Sequence, residues 1–111
     1  RGAIFETFVV SELFKTRLNR GEHASFYFWR DSNGNEIDVI ADLGAKLLPI
    51  EIKSGQTLNR DFFSTLKRWL GLVGDRAISP ALVYGGTDTH VRNGIRVFGW
   101  NAVAEVLSPG E

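Results

Sequence analysis

The sequence predicts an α/β domain in which helices pack against a mixed β-sheet. Three observations indicate this class. Apolar residues recur at helical spacing early in the chain, strand-like segments with tight-turn signals follow, and a second helical segment precedes further short apolar runs. Because that second helix is long enough to connect parallel strands, the sheet should contain both antiparallel and parallel neighbours. The 111 residues suffice for a single domain.

The first predicted helix covers residues 3–18 and ends at Asn19 and Gly21. Its apolar side chains surround much of the helix circumference, so we expect this helix to be largely buried. These apolar residues are Ile4, Phe5, Phe8, Val9, Leu13, Phe14 and Leu18.

Three strands connected by hairpins are expected next. The aromatic run at 26–29 and the alternating segment at 37–40 flank the turn signal Asn33-Gly34. A third strand spans Leu47–Lys53. The turn before it is expected at Gly44-Ala45, because a type II′ turn prefers glycine at its first central position.

The second half of the chain predicts a crossover helix, one or two strands and a final helical segment. Thr57 or Asn59 is suited to cap the crossover helix, and Gly71 and Gly74 lie near its end. Asn101 is expected to cap the final segment. The crossover helix has apolar residues at Phe62, Phe63, Leu66, Trp69, Leu70 and Val73, and the strands are Ala81–Tyr84 and residues 95–98.

Composition excludes several classes of function. Lys and Arg together number 13, as do Asp and Glu, so a nucleic-acid partner would need a local basic patch. The absence of Cys excludes disulfides, thiol nucleophiles and Cys-ligated zinc. The chain has no P-loop or Rossmann glycine motif. No apolar run is long enough to span a bilayer, so we expect a cytoplasmic protein without a membrane partner.

Two neighbouring acidic strands form the most informative feature. The turn at Gly44-Ala45 places Asp38 directly opposite Glu51 and Glu36 opposite Lys53. Opposed Cβ atoms are about 4.5–5.5 Å apart, so the Asp38 and Glu51 carboxylates can share one Mg²⁺ or Mn²⁺ ion. Without a cation the two acids repel each other, unless the Lys53 ammonium offsets them. Alternating Glu and Lys on a strand is also typical of a solvated sheet face.

Residues around this pair complete the predicted site. Lys53 is placed to orient an attacking water or a phosphate oxygen, and we interpret Glu36 as its salt-bridge partner or as a solvated residue. Glu6 lies beside the apolar stripe of the first helix and is within reach as another acidic ligand.

Strand alternation and hairpin counting also place the neighbours of Asp38. Alternation puts Asp38 on one face and both Ile37 and Val39 on the other. Counting across the first hairpin places Trp29 opposite Asp38 and Tyr27 opposite Ile40. We interpret both aromatic residues as core.

The order of these residues resembles a known superfamily. Asp38 is followed after twelve residues by Glu51-Ile52-Lys53, a helix bearing Glu6 precedes them, and a long helix follows. This arrangement resembles the PD-(D/E)XK nuclease superfamily. The segments at 2–9, 27–30, 35–38 and 49–54 resemble, more specifically, the C-terminal domain of unknown function attached to many prokaryotic AAA-type ATPases.

The resemblance implies a restriction-endonuclease-like core around one divalent-metal site. It implies that Asp38, Glu51 and the main-chain carbonyl of Ile52 are metal ligands, that Lys53 is the catalytic lysine, and that Glu6 is the helix-borne acid. It also implies an N-terminal ATPase region in the same protein. Since the chain begins with Arg and contains no Met, we expect it to be a C-terminal fragment of that longer protein.

We therefore predict a Mg²⁺- or Mn²⁺-dependent phosphodiesterase, a nuclease, that acts on DNA. The alternative is a catalytically silent module of the same fold that docks DNA or a protein partner for the attached ATPase. A homo-oligomer formed through an exposed strand is a third interpretation.

Overall fold

The computed structural model describes residues 2–21 and 25–108, which form helices and strands in the predicted order. The α-helices are α1 (Gly2–Asn19) and α2 (Ser64–Val73). The strands are β1 (Phe26–Arg30), β2 (Glu36–Asp42), β3 (Leu47–Lys53), β4 (Ala81–Tyr84), β5 (His90–Arg92) and β6 (Ile95–Gly99). Short 3₁₀ helices occupy Arg60–Phe63, Gly74–Arg76 and Trp100–Glu105.

The strands form one mixed sheet in the order β1-β2-β3-β4-β6-β5. The pairs β1–β2, β2–β3 and β5–β6 are antiparallel. The pairs β3–β4 and β4–β6 are parallel, and α2 lies in the connection from β3 to β4. The prediction of an α/β domain with a mixed sheet and a crossover helix is therefore confirmed.

The sheet separates two apolar cores. On one face, Val9 and Leu13 of α1 pack over β3 residues such as Ile50. On the other face, Leu66 and Trp69 of α2 pack over the sheet. Complete burial of a side chain such as Leu13 stabilises the fold by about 1.5–3 kcal/mol. None of the helices within residues 2–21 and 25–108 has the length and apolar character needed to cross a bilayer.

Helix α1 is less buried than the sequence predicts. Val9 and Leu13 are fully buried, but Ile4 is 76% exposed and Leu18 is 61% exposed. A helix that lies on a sheet buries only the stripe that faces the sheet, so apolar residues elsewhere on its circumference remain in solvent. The prediction of a largely buried helix is therefore wrong.

The turn between β2 and β3 confirms the predicted register. Gly44 has φ of 96° and no other residue of the turn has positive φ, which matches a type II′ turn. The Leu43 N–H donates to the Lys46 carbonyl at 2.9 Å. Val39 pairs with Ile50 and Asp42 with Leu47, as the predicted register requires.

The pairing of β1 with β2 contains a bulge that the sequence did not predict. Tyr27 pairs with Ile40 as expected, but Trp29 pairs with Ile37. Between these two pairs β2 has two residues and β1 has one, so the extra residue belongs to β2. The prediction that Trp29 lies opposite Asp38 is wrong because the turn is one residue longer than that count assumed, with the Asp31 N–H donating to the Asn35 carbonyl at 2.9 Å. The bulge restores the expected pairing only when the ladder reaches Tyr27.

The bulge also changes the faces that β2 side chains occupy. Ile37 and Ile40 belong to the core under α2, whereas Val39 belongs to the core under α1. The prediction that Ile37 and Val39 share one face of the sheet is therefore wrong.

The helix caps and strands in the second half of the chain agree only in part with the prediction. Asn59 caps the 3₁₀ helix that leads into α2, and its side chain accepts a hydrogen bond from the Asp61 N–H at 2.9 Å. The terminal 3₁₀ helix has Gly99 as its N-cap, so the predicted cap at Asn101 is wrong. Strand β5 was not predicted, because its three residues form a strand only by pairing with β6.

Candidate metal centre

Asp38 and Glu51 lie where β2 and β3 separate. Backbone pairing between the two strands ends with Val39 and Ile50. Beyond that pair, side chains connect the strands. Glu51 Oε1 accepts a hydrogen bond from the Asp38 N–H at 3.1 Å, and Asp38 Oδ2 accepts one from the Ile52 N–H at 2.8 Å. The carboxylates thus occupy the position that backbone hydrogen bonds would otherwise fill.

Glu51 is the charged side chain that the described part of the fold buries, at 3% exposure. Burial, the larger cause, and the negative charge of Asp38 together raise the pKa of the Glu51 carboxyl to about 8. The Asp38 N–H and the Lys53 ammonium act in the opposite direction and lower this pKa. In the absence of a cation, the Glu51 carboxyl is therefore protonated at neutral pH.

Lys53 places its ammonium beside the acid pair. Its Nζ lies 3.9 Å from Glu51 Oε2 and 5.6 Å from the centroid of the Phe62 ring. The Lys53 side chain is 37% exposed, so one side of the ammonium faces solvent. The Phe62 ring holds the ammonium in position by a cation–π contact, and the exposed part of the side chain leaves the ammonium accessible to an anionic ligand.

Glu6 reaches the same cluster from α1. Burial of its carboxyl raises its pKa, and the charge of Asp38, a hydrogen bond with Asp38 and the charge of Glu36 each raise it further. Glu6 itself is exposed to solvent on its outer side. The Asp38 carboxyl group therefore interacts with both Glu6 of α1 and Glu51 of β3.

The donor atoms of this cluster suit a hard divalent cation. Asp38 and Glu51 each use one carboxylate oxygen for a main-chain N–H, which leaves one oxygen of each for another partner. Within residues 2–21 and 25–108, no set of three or more acidic or His side chains is arranged to hold a metal ion. Mg²⁺ commonly uses only one or two carboxylates and keeps several waters. The acid pair is compatible with this mode of binding.

Two predicted neighbours of the site have other roles. Glu36 Oε2 lies 2.9 Å from Arg30 Nη2 across the β1–β2 pair, so the prediction of a salt bridge to Lys53 is wrong. The bulge shifts Glu36 by one position relative to β1 and brings it opposite Arg30. Tyr27 is 58% exposed and is not a core residue, whereas Trp29 is partly buried against the core under α2, as predicted.

A family model described as "Domain of unknown function (DUF4143)" matches residues 1–103. The chain belongs to the DUF4143 family. This match includes Glu6, Asp38, Glu51 and Lys53, and it confirms the predicted resemblance to a domain of unknown function. No curated protein matches the chain.

The DUF4143 domain also contains a cleft that sequence reasoning missed. Two adjoining cavities of about 410 and 440 Å³ share Gln56, Gly85 and Trp100 in their walls. Ser54, which directly follows Lys53, lines the first of them. The sequence contains two features of this cleft, the glycine pair after β4 and the tryptophan after β6, but only the strand order brings these segments together.

Proposed function

We propose that this DUF4143 domain is a divalent-cation-dependent phosphodiesterase that acts on DNA. The observation that carries the proposal is the buried Asp38–Glu51 pair in the gap between β2 and β3, with the Lys53 ammonium 3.9 Å from Glu51. Two adjacent carboxyl groups of which one is buried destabilise the fold unless a proton or a cation offsets their repulsion. A strongly raised pKa beside a specific charged partner is typical of functional sites.

Each residue of the cluster has a defined role in this proposal. Asp38, Glu51 and the Ile52 carbonyl would hold Mg²⁺ or Mn²⁺. When bound, such an ion supplies acidification of a water and neutralisation of phosphate charge. Lys53 binds a non-bridging phosphate oxygen and stabilises the charge that develops on it. Glu6 orients the Asp38 carboxylate through their hydrogen bond.

The resemblance to the PD-(D/E)XK superfamily supports the same roles. It covers Asp38, Glu51 and Lys53 at their observed spacing, and the observed order of helix, three-strand meander, crossover helix and further strands agrees with a restriction-endonuclease-like core. The resemblance to domains attached to AAA-type ATPases supports an ATPase region in the same protein as a functional partner.

Cleavage of labelled single-stranded, duplex and branched DNA with Mg²⁺ or Mn²⁺ tests the proposal. Lys53→Ala should lower the cleavage rate by about a hundredfold or more, because it removes the positive charge beside the phosphate. Lys67→Ala, an exposed lysine on α2, is the matched control and should cleave like the wild type. Cleavage by Lys53→Ala at the wild-type rate, with its fold verified by circular dichroism, would refute the assignment.

A catalytically silent docking module is the second candidate function. Two observations favour it: the formal net charge is zero, and the main-chain N–H groups and the proton on Glu51 already satisfy the acid pair. Isothermal titration with Mn²⁺ separates the two functions. A nuclease should bind Mn²⁺ through Asp38 and lose that binding in Asp38→Asn, whereas a docking module should give no binding in either protein.

A further inference from the structure

The cleft beside the candidate metal centre lies at the carboxyl ends of three parallel strands. Lys53 of β3 is in register with Tyr84 of β4, and Tyr84 is in register with Gly99 of β6. The residues that directly follow these three strand ends all line the cleft, and they are Ser54, Gly85 and Trp100. Ligands of open α/β sheets bind at this edge. The cleft therefore adjoins the position at which Lys53 would bind a phosphate.

Aromatic rings form one wall of the cleft. Trp100 is 45% exposed and Phe8 of α1 is 39% exposed, although both contact the folded domain. Their ring centroids are 6.4 Å apart with planes inclined at 62°, an edge-to-face contact that fixes the Trp100 ring. Phe5 adds a third ring, 6.4 Å from that of Phe8. This wall presents an accessible, rigid surface on which a planar group can stack.

The loops beneath this wall are tightly packed and are held by main-chain hydrogen bonds. The Trp100 N–H donates to the Gly86 carbonyl at 3.0 Å, and the Gly85 N–H donates to the Gly55 carbonyl at 2.8 Å. A Cβ atom on Gly85 would overlap the carbonyl oxygen of Ser54, so only glycine permits this approach. The cleft is therefore formed before a ligand arrives.

The adjoining cavity, of about 440 Å³, is lined by polar groups. Gln56 offers an amide donor and acceptor, and Thr87 offers a hydroxyl. The Asp88 carboxylate in the same wall can accept a hydrogen bond from an amino group, but it repels a phosphate. The matching ligand has a flat apolar face, an uncharged edge of donors and acceptors, and its negative charge directed toward Lys53.

We propose that this cleft binds one unpaired nucleobase next to the cleaved phosphate, which makes single-stranded DNA the substrate of the site. The inference rests on the phosphodiester cleavage proposed above and names its substrate class. A base in a duplex is stacked on both faces and paired along its edge, so it cannot enter the cleft. A base in a single strand exposes the face that stacks on Trp100 and the edge that Gln56 and Asp88 contact.

Equilibrium binding in EDTA tests the cleft without any cleavage. The probes are fluorescein-labelled oligo-dT and a labelled DNA hairpin of the same length whose loop is a non-nucleotide linker, each titrated with the 111-residue chain. We expect oligo-dT to bind about tenfold more tightly than the hairpin. Trp100→Ala should weaken oligo-dT binding by about fivefold to a hundredfold, and Trp100→Phe should restore most of the affinity. Phe28→Ala, an exposed aromatic residue on β1 outside the cleft, should bind like the wild type.

Equal affinity for oligo-dT and the hairpin would overturn this inference, and so would wild-type affinity in both Trp100 variants. Absence of oligo-dT binding would overturn it as well. Its failure is distinguishable from failure of the proposed function. Cleavage that depends on Lys53 but not on Trp100 would leave the nuclease and remove the cleft from its substrate site. Oligo-dT binding that depends on Trp100, without cleavage in Mg²⁺ or Mn²⁺, would refute the nuclease alone.

Discussion

Replacing Glu51 with glutamine should make the cation-free domain more stable at alkaline pH and leave its stability near pH 5 almost unchanged. The folded chain raises the pKa of Glu51 from 4.5 to about 8. Between these values the folded chain holds a proton that the unfolded chain has released. The free energy of unfolding therefore falls as pH rises through this window. Glutamine removes the titration, keeps the shape of the protonated acid and retains an acceptor for the Asp38 N–H.

The size of the effect follows from the interval between the two pKa values. An interval from 4.5 to about 8 corresponds to about 5 kcal/mol at 1.36 kcal/mol per pKa unit. Because this interval is an upper bound for a carboxyl that interacts with the charges of Asp38 and Lys53, we expect the substitution to recover about 2–4 kcal/mol at high pH. This is a large fraction of the stability of a small domain.

Urea unfolding in EDTA, followed by tryptophan fluorescence from about pH 5 to about pH 9, measures this difference. The buried Trp69, at 2% exposure, reports loss of the core under α2. Glu105→Gln, an exposed acid in the terminal 3₁₀ helix, is the matched control and should follow the wild-type profile. Parallel pH profiles for the wild type and Glu51→Gln would refute the reasoning that Glu51 is protonated in the folded domain.

Two further predictions concern the cation and the core. At about pH 8, Mg²⁺ at a hundred times its dissociation constant should stabilise the wild type by about 2.7 kcal/mol. Thermal unfolding should show this shift in the wild type and no shift in Asp38→Asn. Equal shifts in the two proteins would contradict the metal site. Leu13→Ala should lower the free energy of unfolding by about 2–5 kcal/mol, whereas Ile4→Ala, at a residue 76% exposed on the same helix, should change it by less than about 0.5 kcal/mol. Similar losses in the two variants, measured in urea, would contradict the observed docking of α1.

The hairpin that carries the acid pair could be predicted from sequence because its geometry is local. A two-residue turn with glycine at its first central position determines the pairing of both strands, and the turn at Gly44 sets the register that pairs Val39 with Ile50. The cap at Asn59 was predictable for the same reason, since a capping side chain contacts a backbone group two residues away. In both cases the interacting groups are close in the chain.

The bulge in β2 could not be predicted, because it depends on two neighbours at once. The ladder with β3 ends at Val39, and the ladder with β1 changes register over the same stretch. Counting from a two-residue turn at Asn33-Gly34 placed Trp29 opposite Asp38, but the loop that forms is one residue longer and pairs Trp29 with Ile37. The burial of α1 failed as a prediction for a similar reason. Its apolar residues surround the helix, and only the docked sheet decides that Leu13 is covered and Ile4 is not.

The sequence by itself determined the residue types and spacing of the acid pair, the lysine two positions after Glu51, and the class and order of the elements. Only the tertiary structure decided that Glu51 is buried, that Asp38 meets Glu6, and that Trp100 lines one cleft with Ser54, the residue after Lys53. The physical reason is the range of the interactions. Turns and alternation arise between residues close in the chain, whereas burial and parallel pairing depend on segments that meet only when the whole sheet and both helices have packed.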